Sequence, residues 1–449
     1  MLQALRRLTS APVSPVLPTS VSAQAPMRSS ASRPALLAPV DQLKASALRG
    51  SVPAMGIRFA TLTPPDVSSL EATLEIQLKK LEHVAPALHD LPDFSVTPLK
   101  IALEKDQQQV SFQLQNATLA IENKQGDKVL LEQLSGQFQA RHTSGGVELL
   151  QDGRSLGVFQ GTLKLNTEDE SLQVNGARFR GDLRLIPTAG GFHVANDVML
   201  EDYLKSVVPS ESPASWPQQS LQAQAMAART YAVANWGKHK ASGFDMNDDT
   251  SDQVYKGMKT EHPGTQEAVK ATTGQIITHG NKPITALFFS TSGGYTDSAK
   301  EVWGVDLPYI QPVKDFDQAA SRYRWTLERS TRQIEQALEK LGHNVGAIQH
   351  IEPLTHTPQG RVKTLKVIGS RGSVTLNSNK FRFAARLYST KWKVQKQGQN
   401  FVFNGGGWGH ALGMSQWGAR QMAADGYLAK DIVKHYYQGV DIQSLESDF

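Results

Sequence analysis

The stretch from Tyr203 to Trp236, YLKSVVPSESPASWPQQSLQAQAMAARTYAVANW, decides how the rest of the chain is read. Val207 and Val208 form a short apolar segment leading into a turn rich in Pro, Ser and Glu, and the turn feeds a long Ala-rich helix. Pro209 and Pro213 bracket Glu211. Proline fixes its own φ and disfavours helix in the residue before it, so this carboxylate is expected on a stiff, non-helical connection. Ser215 and Gln218 have the spacing of a capping box, and Pro217 suits the first helical turn. Beyond it Leu221, Ala225, Ala228 and Ala232 recur at three- and four-residue intervals, which predicts an apolar face. The small side chains of Ala223, Ala227 and Ala228 leave room for close packing. A carboxylate pinned just ahead of a rigid helix is a good mount for acid–base chemistry. The same placement also fits a plainer role, an acid that favours the helix dipole.

Composition narrows the field around this stretch. A chain of 449 residues suggests two or three domains, and 39% hydrophobic with 20% charged residues excludes a wholly disordered protein. The net charge of +5 and pI of about 9.1 suit an anionic polymer, nucleic acid or a membrane surface. No dense Lys/Arg stripe with interleaved aromatics occurs, so nucleic acid is not the expected partner. The absence of cysteine excludes disulfides, thiol catalysis and Cys-based zinc sites, and leaves the compartment open. No apolar run of about 18 residues is present, so no transmembrane segment is expected. Arg6 and Arg7 followed by Ala23-Gln24-Ala25 resemble the ends of an export signal. Pro12, Pro15 and Pro18 interrupt the apolar run of about 7–15 residues that such a signal needs.

In chain order, residues 1–65 read as a disordered leader or linker rich in Ala, Ser and Pro. Residues 66–97 read as a helical segment: Ser68 and Glu71 are spaced as a capping box, and Leu70, Leu74, Leu78 and Leu81 share a face. Residues 98–198 read as strands. Ile101 and Leu103, then Val110, Phe112 and Leu114, then Leu163 and Leu165, then Phe179, Leu183 and Leu185 alternate with polar residues, and Gly, Asn and Asp cluster between the runs. Residues 199–445 mix helices and strands, with a helix near Thr331 to Leu341, strands at Val362 to Val367 and Val374 to Leu376, and two helices divided by Gly426. The expected class is α+β, a strand-rich N-terminal half followed by a mixed core.

Two further blocks stand out: LFFSTSGGYTDSAKEVWG, Leu287 to Gly304, and NGGGWGHALGMSQWGARQMAADGYLAKDIVKHYYQGVDI, Asn404 to Ile442. With the Tyr203–Trp236 stretch, and in the same order, they resemble the signature of the stage II sporulation protein D family, also called the SpoIID/LytB or amidase-enhancer family. The resemblance covers roughly residues 98 to 445, so that residues 199–445 read as a SpoIID-like catalytic core. It implies a protein of the cell envelope or periplasm, or a secreted one. Such a protein cuts the glycan strands of peptidoglycan, or binds the wall without cutting it and enhances an N-acetylmuramoyl-L-alanine amidase.

Glu211 matches the family's catalytic glutamate. Breaking a glycosidic bond requires a proton on the leaving oxygen, and a carboxylic acid supplies it; an apolar setting of Pro209, Pro213 and Trp216 favours the protonated form. In a lytic transglycosylase the muramic acid 6-hydroxyl attacks and a 1,6-anhydro end results, so one carboxyl group serves as acid and then base. Hydrolysis by water would need a second acid. Asp297, Glu301, Asp315 and Asp317 are the candidates, each with the plainer reading of a solvated loop acid.

Arg229 matches a functional arginine of some members, where it would hold a substrate oxygen or tune Glu211; a structural ion pair is the alternative. Expected substrate-binding residues are Ser290, Ser292, Gly293, Gly294, Tyr295 and Thr296, with Trp303, Trp408, His410 and Gln416. Small hydroxyl residues and glycines let backbone approach a sugar, and Tyr295, Trp303 and Trp408 offer stacking faces. Turn chemistry for the glycines, a satisfied structural role for His410 and a core role for Trp408 are the alternatives. Some members bind zinc through Cys and His. Met246, Ser251 and Asp252 stand at those places here, so neither a metal nor a cofactor is expected.

Overall fold

The computed structural model describes residues 85–122, 127–167 and 172–445. The predicted leader and the predicted Leu70–Leu81 helix lie outside the described residues. The described part of the 66–97 segment holds a short 3-10 turn, Leu88–Asp90.

Alternating side chains build the first half. Strands β1 (Leu99–Gln107), β2 (Gln109–Ile121), β3 (Lys128–Thr143), β4 (Gly146–Gln151), β5 (Arg154–Phe159) and β6 (Leu163–Thr167) are followed by the short β7 (Gln173–Val174) and β8 (Ala177–Arg178). Then come β9 (Asp182–Thr188) and β10 (Gly191–Val198). They form one sheet in the order β1-β10-β9-β6-β2-β3-β4-β5, with β7 and β8 to one side. In β2 the period of two is plain: Val110, Phe112 and Leu114 are buried while Ser111 and Gln115 are exposed. A distant strand, β11 (Met246–Asn247), joins the free edge of β1 in parallel, with Ile101 opposite Met246.

Two helices leave this sheet. Helix α1 (Leu200–Glu211) buries Tyr203, Leu204, Val207 and Val208. Helix α2 (Gln218–Ala234) is buried at every residue from Ala223 to Ala234, so it is the central helix rather than one with a single apolar face. It packs on α1, on α3 (Pro263–Ala271) and on the strand Gln275–His279. Its alanines allow these approaches. The Ser215 cap is not made: the N-cap is Pro217, and the Ser220 hydroxyl donates to the Pro217 carbonyl at 2.7 Å.

After α4 (Ala299–Trp303), residues 325–405 gather a core of their own. Strands Trp325–Ser330, Asn400–Gly405 and Trp392–Gln397 make one three-stranded sheet, and Ile348–His356, Val362–Gly369 and Gly372–Asn377 another. Helix α5 (Thr331–Lys340) starts with a full capping box of Ser330 and Gln333, and α6 (Ser378–Ala384) is capped by Asn377. Ile334, Leu338, Leu365, Phe381 and Phe403 fill the space between them.

The chain then returns to α2. Phe288–Phe289 pairs in parallel with Met414–Ser415, and α7 (Gln416–Ala424) and α8 (Ala429–Tyr436) bury Met422, Ile432 and Tyr436 with Ala223, Met226 and Ala227. The architecture is α+β, as the pattern predicts. Among the described residues no helix is long and apolar enough to cross a membrane.

Candidate functional site

Glu211 is the last residue of α1, not part of a non-helical connection. The helix runs through Pro209, and the Ser212 N–H closes it on the Val208 carbonyl at 2.9 Å. Burying each large apolar side chain is worth about 1.5–3 kcal/mol, and one proline inside a helix costs about 3 kcal/mol. The buried Tyr203, Leu204, Val207 and Val208 therefore outweigh the local preference.

Four segments meet at this helix end. The half-buried Glu211 carboxylate accepts the Val254 N–H at 3.4 Å, and the Glu211 carbonyl accepts from Gln416 Nε2 at 3.0 Å. From α2, the Gln224 Oε1 accepts from the Ser212 hydroxyl at 3.3 Å and from Gln416 Nε2 at 3.5 Å. The Gln224 Nε2 is buried without a hydrogen-bond partner. Trp216 and Trp417 meet edge to face, ring centroids 5.3 Å apart, and Arg420 lies 5.3 Å above Trp417. The Trp417 N–H donates to the Ser290 carbonyl at 3.1 Å, which brings Ser290 to the same corner. Beneath Glu211, burial pushes the Tyr203 and Tyr231 hydroxyls well above their ordinary range, and the charges of Asp252 and Glu211 push the same way. Both phenols therefore remain donors, Tyr203 to Gln253 at 3.2 Å and Tyr231 to Asp252 at 3.2 Å.

Arg229 is not at this corner. Its guanidinium is 0% exposed and clamps Glu201 at the other end of α1, with Nε to Oε1 and Nη2 to Oε2 both at 2.7 Å. It also donates to the Gln275 and Val269 carbonyls. At a rise of roughly 1.5 Å per residue, the two ends of α1 lie about 15 Å apart. The contacts made by Arg229 are thus those of the structural ion pair.

The Ser/Thr/Gly block divides. Ser292 and Thr296 are buried and turn inward. The Asp317 carboxylate accepts from the Thr291 hydroxyl, the Ser292 hydroxyl and the Gly293 N–H, the last at 2.7 Å. Thr296 Oγ1 accepts the Val313 N–H at 2.8 Å. The Gly293 carbonyl accepts from Arg324 and Lys391, both at 3.1 Å. These groups serve the loop, and their geometry is that of a folded turn rather than an open sugar-binding surface. Gly294 is half-buried, and its N–H donates to the Ser292 hydroxyl. Tyr295 and Trp408, by contrast, are 49% and 40% exposed. His410 lies between Phe289 and Trp303, and its Nδ1 accepts the Leu412 N–H at 3.0 Å.

The acids expected as solvated loop residues are mostly the opposite. Asp297, Asp315 and Asp317 are fully buried. Arg361, itself buried, donates to the Ser292 carbonyl at 2.6 Å and stands 3.8 Å from Asp297. Burial pulls the Arg361 guanidinium down to about 10, against the opposing charges of Asp297, Asp317 and Asp315. Burial, and then the Asp317 charge, hold the Asp315 carboxyl above its ordinary range, although the Tyr436 hydroxyl donates to it at 2.7 Å. Glu301 pairs at the surface with Lys363 at 2.9 Å.

In the loop where some relatives were expected to carry zinc ligands, Met246 is buried in β11. Asp252 accepts from Lys238 at 2.6 Å and from the Asn247 N–H at 2.9 Å. Sequence reading passed over Gln224, Val254 and Arg361, and took Asp317 for a possible base or a solvated loop acid rather than the buried acceptor of the Ser292–Gly293 turn. The one signal available was Gln224, a polar residue among alanines on a helix that proved buried all round.

The family described as Stage II sporulation protein matches residues 188–279, which holds Glu211, α2 and Val254. A domain of unknown function (DUF8618) matches residues 299–413. The chain is 36% identical over 272 residues to stage II sporulation protein D of Bacillus amyloliquefaciens, covering 57% of this chain and 77% of the relative. It is 34% identical over 268 residues to stage II sporulation protein D of Bacillus subtilis strain 168, covering 56% and 76%. It is 30% identical over 292 residues to the amidase enhancer of Bacillus subtilis strain 168, covering 54% and 40%. The chain belongs to the stage II sporulation protein D family.

Proposed function

We propose that this protein acts on the cell wall and cleaves peptidoglycan glycan strands as a lytic transglycosylase, with Glu211 as its acid and base. The observation that supports the reading most is the corner at the end of α1. There a half-buried carboxylate, a glutamine pair and the Trp216–Trp417 edge converge from segments far apart in the chain. In the proposed reaction the Glu211 carboxyl gives its proton to the glycosidic oxygen as the bond to C1 breaks. The carboxylate then takes the proton of the muramoyl 6-hydroxyl as that oxygen bonds to C1. The acid is restored and the product ends in a 1,6-anhydro ring. Trp216, Trp417 and the exposed Tyr295 and Trp408 would offer stacking faces to the strand. Such a protein works outside the cytoplasmic membrane.

The test uses peptide-stripped glycan and mass spectrometry. Wild-type protein should release anhydro-muramoyl ends, and Glu211→Gln should lose about 10²–10⁴-fold of that rate while keeping its melting temperature. Equal product from both proteins would end the catalytic reading.

A second reading has its own support: one relative is named an amidase enhancer, and Arg229 is held by Glu201 rather than by the Glu211 corner. On that reading the chain binds the wall and speeds an N-acetylmuramoyl-L-alanine amidase. It expects no anhydro ends from this protein alone, but faster amidase turnover when both are present.

A further inference from the structure

A cleft of about 670 Å³ opens at one end of the sheet made by Trp325–Ser330, Asn400–Gly405 and Trp392–Gln397. Three cations line it, Arg324, Lys391 and Lys393, with Trp325, Trp392 and Asn404, and no Asp or Glu is among the lining residues. The polar partners of Arg324 and Lys391 are backbone carbonyls: both donate to the Gly293 carbonyl, and Arg324 also to that of Tyr323. A guanidinium carries five N–H donors and an ammonium three, so each keeps donors to spare. Burial, and then the neighbouring Arg361 and Arg324 charges, lower the Lys391 pKa against the opposing charges of Asp317 and Asp297. Trp392, in the same lining, packs its ring on Phe403 in the core, centroids 5.3 Å apart, so its indole signal reports on the wall of the cleft. A volume in the range of about 300–1,000 Å³ suits a small organic ligand or a short piece of polymer rather than a bare ion.

From the three cations, the spare donors of two of them and the absence of acids among the lining residues, we infer that this cleft is a binding subsite for an anionic sugar or polyol unit, one bearing a carboxylate or a phosphate. It lies within the 299–413 stretch that matches a domain of unknown function. It does not depend on the chemistry of Glu211. Through Lys391 and Arg324 it touches the carbonyl of Gly293, so a bound anion draws on the same donors that hold the Ser292–Gly293 turn.

The experiment is an NMR titration of the full chain labelled at tryptophan indole nitrogen, with the Trp392 signal assigned by Trp392→Phe. The probes are N-acetylmuramic acid, which carries a carboxylate, glycerol 3-phosphate, and neutral N-acetylglucosamine. At least one anion should move the Trp392 signal saturably, and the neutral sugar should not. The stronger of the two anions identifies the source of the charge; equal shifts mean that the subsite reads charge alone. Arg324→Gln with Lys393→Gln, both exposed positions, should weaken the anion about tenfold, the loss expected for about 1.4 kcal/mol. The inference is overturned by a Trp392 signal that neither anion moves. It is equally overturned by a neutral sugar that binds as well, or by an affinity unchanged in the double variant.

Discussion

Arg229 is a case where one residue's partner changes its meaning. Its guanidinium is dry, and it satisfies Glu201 and two carbonyls at once. Removing one member of such a pair strands the others. Arg229→Ala should therefore lose about 3–5 kcal/mol in a denaturant titration, while Glu211→Gln stays within about 1 kcal/mol of wild type. Asp248 makes a second prediction at this scale. Burial pushes its carboxyl up to about 6, only partly opposed by Lys256. The native state then binds the proton more tightly than the unfolded chain, whose carboxyl titrates near its ordinary value. Stability contributed by this group is complete below that ordinary value and falls as pH rises towards about 6. Asp248→Asn should flatten that decline between about pH 4 and pH 6, read from melting temperatures across the range.

At the scale of elements, α7 is placed by a missing side chain. A Cβ on Gly418 would collide with Asp315 Oδ1 and with the Tyr436 hydroxyl, the two groups that hydrogen-bond to each other. The helix can lie this close to Asp315 only as glycine. Gly418→Ala should cost about 1–3 kcal/mol through overpacking and should move Gln416 away from the Glu211 carbonyl. If the corner at α1 is the active one, the same variant lowers product release more than it lowers substrate affinity, which a kcat-against-KM comparison reads. Helix α1 shows the other side of local rules: the prolines around Glu211 predicted an irregular connection, and burial of its apolar face carried the helix through Pro209. At the start of α5, near where a helix was expected, Ser330 and Gln333 form a capping box, because that helix start is exposed and local hydrogen bonds decide it.

At the scale of the whole molecule, residues 325–405 hold a core distinct from the one beneath the large sheet. Arg361 joins them, donating to the Ser292 carbonyl and facing Asp297, Asp315 and Asp317. Arg361→Leu would leave Asp297 buried without its cation. A loss of about 3–5 kcal/mol is expected, with hydrogen exchange rising in the 291–298 loop before the Val362–Gly369 strand.

Much of the fold was legible because it rests on local periodicity. Alternation at Ile101 and Leu103, Val110 to Leu114, Leu163 and Leu165, and Leu183 and Leu185 marked β1, β2, β6 and β9, and three- and four-residue spacing marked α2. Glu211 was singled out by the resemblance of its stretch to the family signature, and its part as the acid is the proposal made above. Which groups stand beside it was not legible. Gln416 reaches the Glu211 carbonyl from 205 positions away, and Arg229 turns to Glu201 rather than to Glu211. Ser292 faces inward because Asp317, 25 positions on, returns beneath it. Periodic burial depends on neighbours a turn or a pleat away, so the sequence alone determines it. Partnership between buried polar groups depends on where the chain comes back, and only the tertiary structure decides that.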